Sequence, residues 1–240
     1  MKVLHFESID STSTYLKNNY QDLDNMTFVS ADYQSAGHGR NNRNWKSENG
    51  SNLLFSLLIL DSELISLFKS ISIISAYSIT QVLKEYELSN CFIKWPNDIY
   101  VNDKKICGIL LEAVTKKEIE CLIVGVGLIV NQEVFEGEYL RLPTSMCREL
   151  NKKIDLNEVK LKVFNNLEKN LIKLKEGYDF YSEIIKYDYL KDKELYAVLN
   201  NEEKKISVLG INPDYSLKIK DKENIVDIDS GEISFHTTKI

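Results

Sequence analysis

The chain reads as an α+β protein. A mixed β-sheet domain with helices packed on one face is expected over residues 1–189, and a small β-barrel domain over residues 190–240. Three observations predict this. Two long stretches, from Ser62 to about Leu88 and from Asp155 onward, repeat apolar residues every three to four positions. Glycine-marked strand patterns follow one another around Thr115-Lys116-Lys117 as an antiparallel pair. After Leu190 only short alternating strands remain, separated by polar turns. At 240 residues the chain is long enough to bury a full-sized core and to add a small second unit.

Taken in order, Lys2 to Phe6 forms a first strand, and Ser8-Ile9-Asp10-Ser11-Thr12-Ser13 supplies residues that start a short helix running to about Asn19. Thr27 to Tyr33 is a second strand, and Leu53 to Leu60 has buried-strand character. The helix from Ser62 presents Leu64, Leu67, Phe68, Ile71 and Ile74 on one face. Phe92 to Trp95 is a short strand stopped by Pro96, and Ile99 to Val101 runs into Asn102-Asp103, a hairpin-type turn. Lys105 to Val114 and Ile119 to Val130 make the antiparallel pair. Thr144-Ser145 opens a short helix, and Asp155 caps a longer one whose apolar face is Leu156, Val159, Val163, Leu167, Leu171 and Leu174. The barrel strands are Leu195 to Leu199, Lys205 to Gly210, Tyr215 to Ile219, Ile225 to Ile228 and Ile233 to His236.

Composition narrows the function. Hydrophobic residues make up 43% of the chain and charged residues 28%, which fits neither disorder nor a membrane protein, and no apolar run reaches bilayer-spanning length. The first residues turn acidic and polar too early for a secretory signal, so a cytoplasmic location is expected. A net charge of −6 argues against generic nucleic-acid binding. Cys91, Cys107, Cys121 and Cys147 have no close CxxC spacing and mostly sit among apolar residues, as buried thiols of a reducing compartment do.

Two stretches carry chemistry. In Gly37-His38-Gly39-Arg40-Asn41-Asn42-Arg43-Asn44-Trp45 the glycines allow close backbone approach, Arg40 and Arg43 can surround an anion, and Trp45 can cover a flat ring. Lys94-Trp95-Pro96-Asn97-Asp98, followed by Lys105-Ile106-Cys107-Gly108, is a tight turn that sets a carboxylate beside lysine charge at the end of a sheet. Joining a carboxylic acid to the α-phosphate of ATP needs such an arrangement, because two anions must meet before they react.

These residues resemble the biotin protein ligase family. The loop corresponds to its GRGRxxRxW pattern, KWPND is intact, and Lys105-Ile106-Cys107-Gly108-Ile109-Leu110-Leu111-Glu112 fits its K-x-x-G-I-L-x-E strand. Gly125-Val126-Gly127-Leu128-Ile129-Val130-Asn131 resembles its GIGINVN strand, and Ser11-Thr12 and Gln34 also match. The resemblance runs from about Val3 to His236, and the barrel it implies is SH3-like. It further implies that biotin and MgATP form biotinyl-5′-AMP, whose biotinyl group passes to a lysine of a biotin carboxyl carrier protein. Biotin would contact Ser11, Thr12, Gln34, Gly37, His38, Gly39, Arg40, Lys105 and Gly108. Nucleotide would contact Arg40, Arg43, Trp45, Asn97 and Asn131. Lys105, Arg40 and Asp98 would be the catalytic groups, and Asn97 and Asp98 would lie near Mg2+.

Two departures from the pattern stand out: His38 replaces the usual arginine between the loop glycines, and Leu128-Ile129 replaces Ile-Asn. The nearest rival is a lipoyl or octanoyl protein ligase, against which the intact KWPND and the arginine loop weigh. A biotin-sensing DNA-binding regulator is disfavoured, since the pattern begins directly at the first strand; a monomer or a homodimer fits equally. The acidity predicts no specific DNA binding, and a salt-resistant footprint on one DNA sequence would contradict this.

Overall fold

The computed structural model describes residues 2–40, 43–135, 142–199, 202–229 and 234–236. Loop residues Asn41 and Asn42, and Ile233 at the start of the last expected strand, lie outside the described residues.

A seven-stranded sheet is built from β1 (Lys2–Ile9), β2 (Thr27–Gln34), β3 (Leu53–Ile59), β4 (Cys91–Lys94), β5 (Asp98–Val101), β6 (Lys104–Thr115) and β7 (Ile119–Leu128), in the order β1-β2-β3-β7-β6-β5-β4. Only β1 and β2 pair in parallel and the other ladders are antiparallel, so the sheet is mixed as expected. The turn at Asn102-Asp103 has both residues at positive φ, 48° and 62°, the backbone that a tight two-residue hairpin requires.

Helix starts follow the capping residues. Ser11 caps α1 (Thr12–Asn19) by accepting from Thr14 N, and Asp155 caps α5 (Leu156–Lys175) by accepting from Asn157 N and Glu158 N. Ser145 likewise caps α4 (Met146–Leu150). The helix expected from Ser62 to Leu88 is two: α2 (Ser62–Ser66), capped by Asp61, and α3 (Phe68–Glu85). They meet at Leu67, whose φ of −96° and ψ of 21° leave the helical region, so one apolar periodicity runs across a break in the backbone. A short helix α6 (Tyr181–Ile184) precedes the second sheet and had no clear sequence signal.

The long helices α3 and α5 pack on one face of the sheet. Their Ile71, Ile74, Val159, Val163, Phe164 and Leu167 share a core with Phe28, Phe55, Leu57, Val124 and Val126 of the strands. Phe164 is central, stacking on Phe28 at 4.2 Å between ring centroids and meeting Phe55 edge-on at 4.7 Å. The opposite face is covered at one end by α1, whose Leu16 is fully buried against Val29, Leu58 and Ile123. The rest of that face carries the site.

The C-terminal strands β8 (Glu194–Leu199), β9 (Glu202–Ile211), β10 (Leu217–Asp221), β11 (Asn224–Ile228) and β12 (Ser234–His236) form one antiparallel sheet in the order β11-β10-β9-β8-β12. This is the small SH3-like β-unit expected; among the described residues no ladder joins β11 to β12 to close a ring. It is tied to the β4–β5 turn of the larger sheet by Trp95, whose indole N–H donates to Tyr215 O at 2.9 Å, and to α6 by Tyr181, whose hydroxyl donates to Ile211 O at 3.2 Å.

Phe164→Ala removes a ring that is 1% exposed and should cost about 3–5 kcal/mol of unfolding free energy. Leu161→Ala on the same helix, at a position 53% exposed, should change it by less than about 0.5 kcal/mol. Urea titration of the two variants measures both.

Candidate active site

Strand register explains where the site lies. Gly108 pairs with Gly127, Leu110 with Gly125, and Glu112 with Ile123, while Leu54 and Ser56 of β3 stand opposite the same two glycines of β7. Residues that pair across strands share a face, so Gly108, Gly125 and Gly127 together strip side chains from one patch of the sheet. A Cβ added at Gly127 would come within 2.4 Å of the Trp45 indole, one at Gly108 within 2.9 Å of it, and one at Gly125 within 2.8 Å of Ser13 Oγ. The patch is a floor of bare backbone, and Trp45 lies on it.

The arginine loop reaches the floor as a small hairpin. His38 and Asn44 form a bridge, Gly39 N donates to Arg43 O at 2.8 Å, and Trp45 N donates to Gly37 O at 2.8 Å. Space is tight at Gly37, where a Cβ would meet Trp45 O at 3.2 Å. At Gly39 it is not: the nearest contact would be an ordinary 3.8 Å. Among the described residues the Trp45 indole N–H is buried without a hydrogen-bond partner, which marks it as a donor available to a ligand.

At one end of the floor stand the charged groups. Lys105 Nζ lies 2.7 Å from Asp98 Oδ1 and 5.5 Å from the centre of the Trp45 ring. The backbone of Lys105 is fixed on both sides, its N–H donating to Leu142 O and its carbonyl accepting from Thr144 N. The turn before Asp98 is pinned to β6 twice at one residue: Ile109 N donates to Asn97 O, and Asn97 Nδ2 donates to Ile109 O. The Trp95–Pro96 peptide bond in this turn is cis. Arg40 Nη1 approaches Asn97 Oδ1 at 3.5 Å and so joins the loop to the turn. Burial pushes the Arg40 pKa below the ordinary guanidinium value, Asp98 opposes that shift, and Arg43 adds to it. A cation desolvated in this way gains from an anion placed beside it. Arg43 itself is exposed.

At the other end is a cluster of hydroxyls. Thr12 donates from N and from Oγ1 to Gln34 Oε1, at 2.7 and 3.0 Å, and its hydroxyl also meets Ser56 Oγ at 2.7 Å. Ser13 Oγ lies 2.9 Å from the same Ser56 oxygen. Ser11, Thr12, Ser13 and Ser56 are all buried. The sequence reading gives Ser13 only a helix-starting role and Ser56 none, although a lone serine inside Leu53-Leu54-Phe55-Ser56-Leu57-Leu58 is the kind of polar interruption that marks a buried hydrogen-bonding position.

The structure therefore brings Ser11, Thr12, Gln34, Gly37, Arg40, Trp45, Asn97, Asp98, Lys105 and Gly108 around one patch, with His38 on the loop above. Asn131 is engaged differently. Both ends of its amide bond to Ile154, donating to the carbonyl at 2.8 Å and accepting from the N–H at 2.9 Å, which clamps the chain entering α5. The four cysteines are free and buried, and burial pushes the Cys91 thiol up to about 12, as fits thiols that only pack. Among the described residues no three metal-ligating side chains cluster, and no helix is long and apolar enough to cross a membrane. A cavity of about 310 Å3 at the outer edge of β4, lined by Asn90, Phe92 and Tyr189 among others, contains none of the residues above.

Residues 5–128 match the model of the biotin/lipoate A/B protein ligase family. The chain is 34% identical over 132 residues to the bifunctional ligase/repressor BirA of Bacillus subtilis, a match covering 54% of this chain and 41% of that protein. It is 26% identical over 234 residues to BirA of Salmonella typhimurium, covering 96% of this chain and 73% of that protein. Its fold superposes on a biotin protein ligase from Aquifex aeolicus in complex with biotin and ATP, with a TM-score of 0.88, 30% identity and 99% of each chain covered.

Gly127→Ala should drive the Trp45 ring off the floor. Trp95 is 2% exposed, so acrylamide quenching of tryptophan fluorescence reports chiefly on Trp45 and should rise in this variant. Unchanged quenching would mean that the indole does not rest on Gly127.

Proposed function

The chain belongs to the biotin/lipoate A/B protein ligase family, and from that premise we propose that it activates biotin with ATP as biotinyl-5′-AMP and passes the biotinyl group to a lysine of a biotin carboxyl carrier protein. The observation that carries this reading is the ammonium of Lys105, held at 2.7 Å by Asp98 at the edge of a glycine floor that Trp45 covers. This supports the reading because a fixed cation there would screen a carboxylate lying on the floor from the α-phosphate of a nucleotide.

The steps follow from charge. In the first, a biotin carboxylate oxygen attacks the α-phosphorus and pyrophosphate leaves. Lys105 and Arg40 screen the two anions from each other and stabilise the charge that develops between them. Arg43 adds a second guanidinium for phosphate, and Trp45 covers a flat ring and excludes water from the anhydride. At the far end the hydroxyls of Ser11 and Thr12 and the amide of Gln34 supply donors and acceptors for the polar edge of the ureido ring, with the Gly37-His38-Gly39 backbone beside them. In the second step the carrier lysine amine attacks the acyl carbon, a C–N bond forms, the C–O bond to AMP breaks, and Asp98 takes the amine proton. Asn131 would act from behind, by holding the segment that leads to α5.

Asp98 is a single carboxylate beside the Asn97 amide, which fits Mg2+ that takes most of its ligands from substrate phosphates. Bound there, the ion would neutralise phosphate charge. Lys105→Ala should lower biotin-dependent pyrophosphate release by about 100-fold to 1,000-fold while leaving the fold intact, the usual cost of losing a preorganised charge partner of the transition state. Running biotin and lipoate side by side tests the substrate class. Near-wild-type release in the variant, or faster adenylation of lipoate, would overturn the reading.

A further inference from the structure

Glu112 takes no part in the steps above, yet its carboxylate stands where three elements of the site meet. It lies on the ligand-facing side of β6, four residues beyond Gly108. Its Oε1 faces Lys17 Nζ of α1 at 2.6 Å and His38 Nε2 of the arginine loop at 3.5 Å. The other ring nitrogen of His38, Nδ1, faces Ala36 O at 3.4 Å. His38 thus sits between two acceptors, the Glu112 carboxylate on its Nε2 side and the Ala36 carbonyl on its Nδ1 side. The pair is largely covered, at 24% exposure for the His38 side chain and 20% for Glu112, so solvent screens it less than an open surface pair. Among the described residues the second oxygen, Oε2, is buried with no hydrogen-bond partner. A carboxylate covered to this degree is held in place by the groups around it, the Lys17 ammonium and the His38 ring, and the second of these belongs to the loop.

We infer that Glu112 is a positioning residue that holds the arginine loop over the glycine floor through His38. Through Lys17 it links that closure to the helix whose first turn carries Thr12. The family's usual arginine at position 38 would offer a charged N–H donor to the same carboxylate. Only the consequence for turnover rests on the ligase reading.

Hydrogen exchange on the full chain without ligands tests the tether directly. The Gly39 and Trp45 amides, bonded inside the loop hairpin, should exchange about three to ten times faster in Glu112→Gln and in His38→Ala, and no faster in the double variant than in either single one. His38→Arg and Lys17→Met should stay within about twofold of wild type, and the amides of α3 should be unchanged throughout. Unchanged loop exchange in Glu112→Gln, multiplied effects in the double variant, or equal loosening of α3 would overturn the tether. In turnover, Glu112→Gln should raise KM for biotin by a similar factor with kcat little changed, whereas a fall in kcat alone would overturn a positioning role. Should the wild-type protein form no adenylate from biotin, the ligase reading fails while the exchange result still decides the tether.

Discussion

The alignment of three glycines across two neighbouring strands is the constraint on which the site depends. Because β6 and β7 pair Gly108 with Gly127 and Leu110 with Gly125, the bare positions fall side by side on one face rather than alternating between faces. A shift of one residue in that register would turn the same glycines toward α3 and α5 and present core side chains to the loop. The buried aliphatic set on the opposite face, including Ile109, Val124 and Val126, prevents such a shift, so the hydrophobic core and the glycine floor are fixed by the same ladder.

On this floor the charges are arranged against the trend of the whole molecule. The chain carries a net charge of −6, yet Lys105, Arg40 and Arg43 gather at one end of the patch. Asp98 offsets part of that local charge, and it also gives Lys105 a fixed direction that a lone ammonium on a flexible stem would lack. The opposite end is rich in hydroxyls, with Glu112 and Lys17 paired to each other beside it. A ligand with one polar uncharged end and one carboxylate would find a complementary environment at each, and its apolar middle would lie between Trp45 and backbone.

The two sheets are connected near the charged end. Trp95 sits in the turn that carries Asn97 and Asp98, and its indole N–H is bonded to the carbonyl of Tyr215 in the turn between β9 and β10 of the second sheet. The bridge between Ile93 and Asp188, together with the Tyr189 N–H donated to Ile93 O, adds a backbone link at the outer edge of β4. The C-terminal unit is therefore coupled to the position of the Asp98 turn through specific hydrogen bonds, in addition to packing.

The sequence by itself determined the elements whose causes are local. Ser11 and Asp155 start helices because their side chains reach amides two or three residues ahead, Asn102-Asp103 turns because a two-residue hairpin needs positive φ, and alternating residues after Leu190 make short strands. The motif residues Arg40, Trp45, Asn97, Asp98 and Lys105 were picked out by residue type, spacing and resemblance to a family pattern, and the structure gathers them at one patch. Only the tertiary structure decided what depends on distant partners. Periodicity alone could not reveal the break at Leu67, because apolar residues continue across it. Ser13 and Ser56 are 43 positions apart, Lys17 and Glu112 are 95 apart, and nothing in either local context names the other. The amide of Asn131 is a ligand candidate by resemblance but a clamp on Ile154 by contact. Local propensity selects the backbone of a segment, whereas strand register and the packing of α1 and the loop against the sheet select which side chains meet, and the site is made of those meetings.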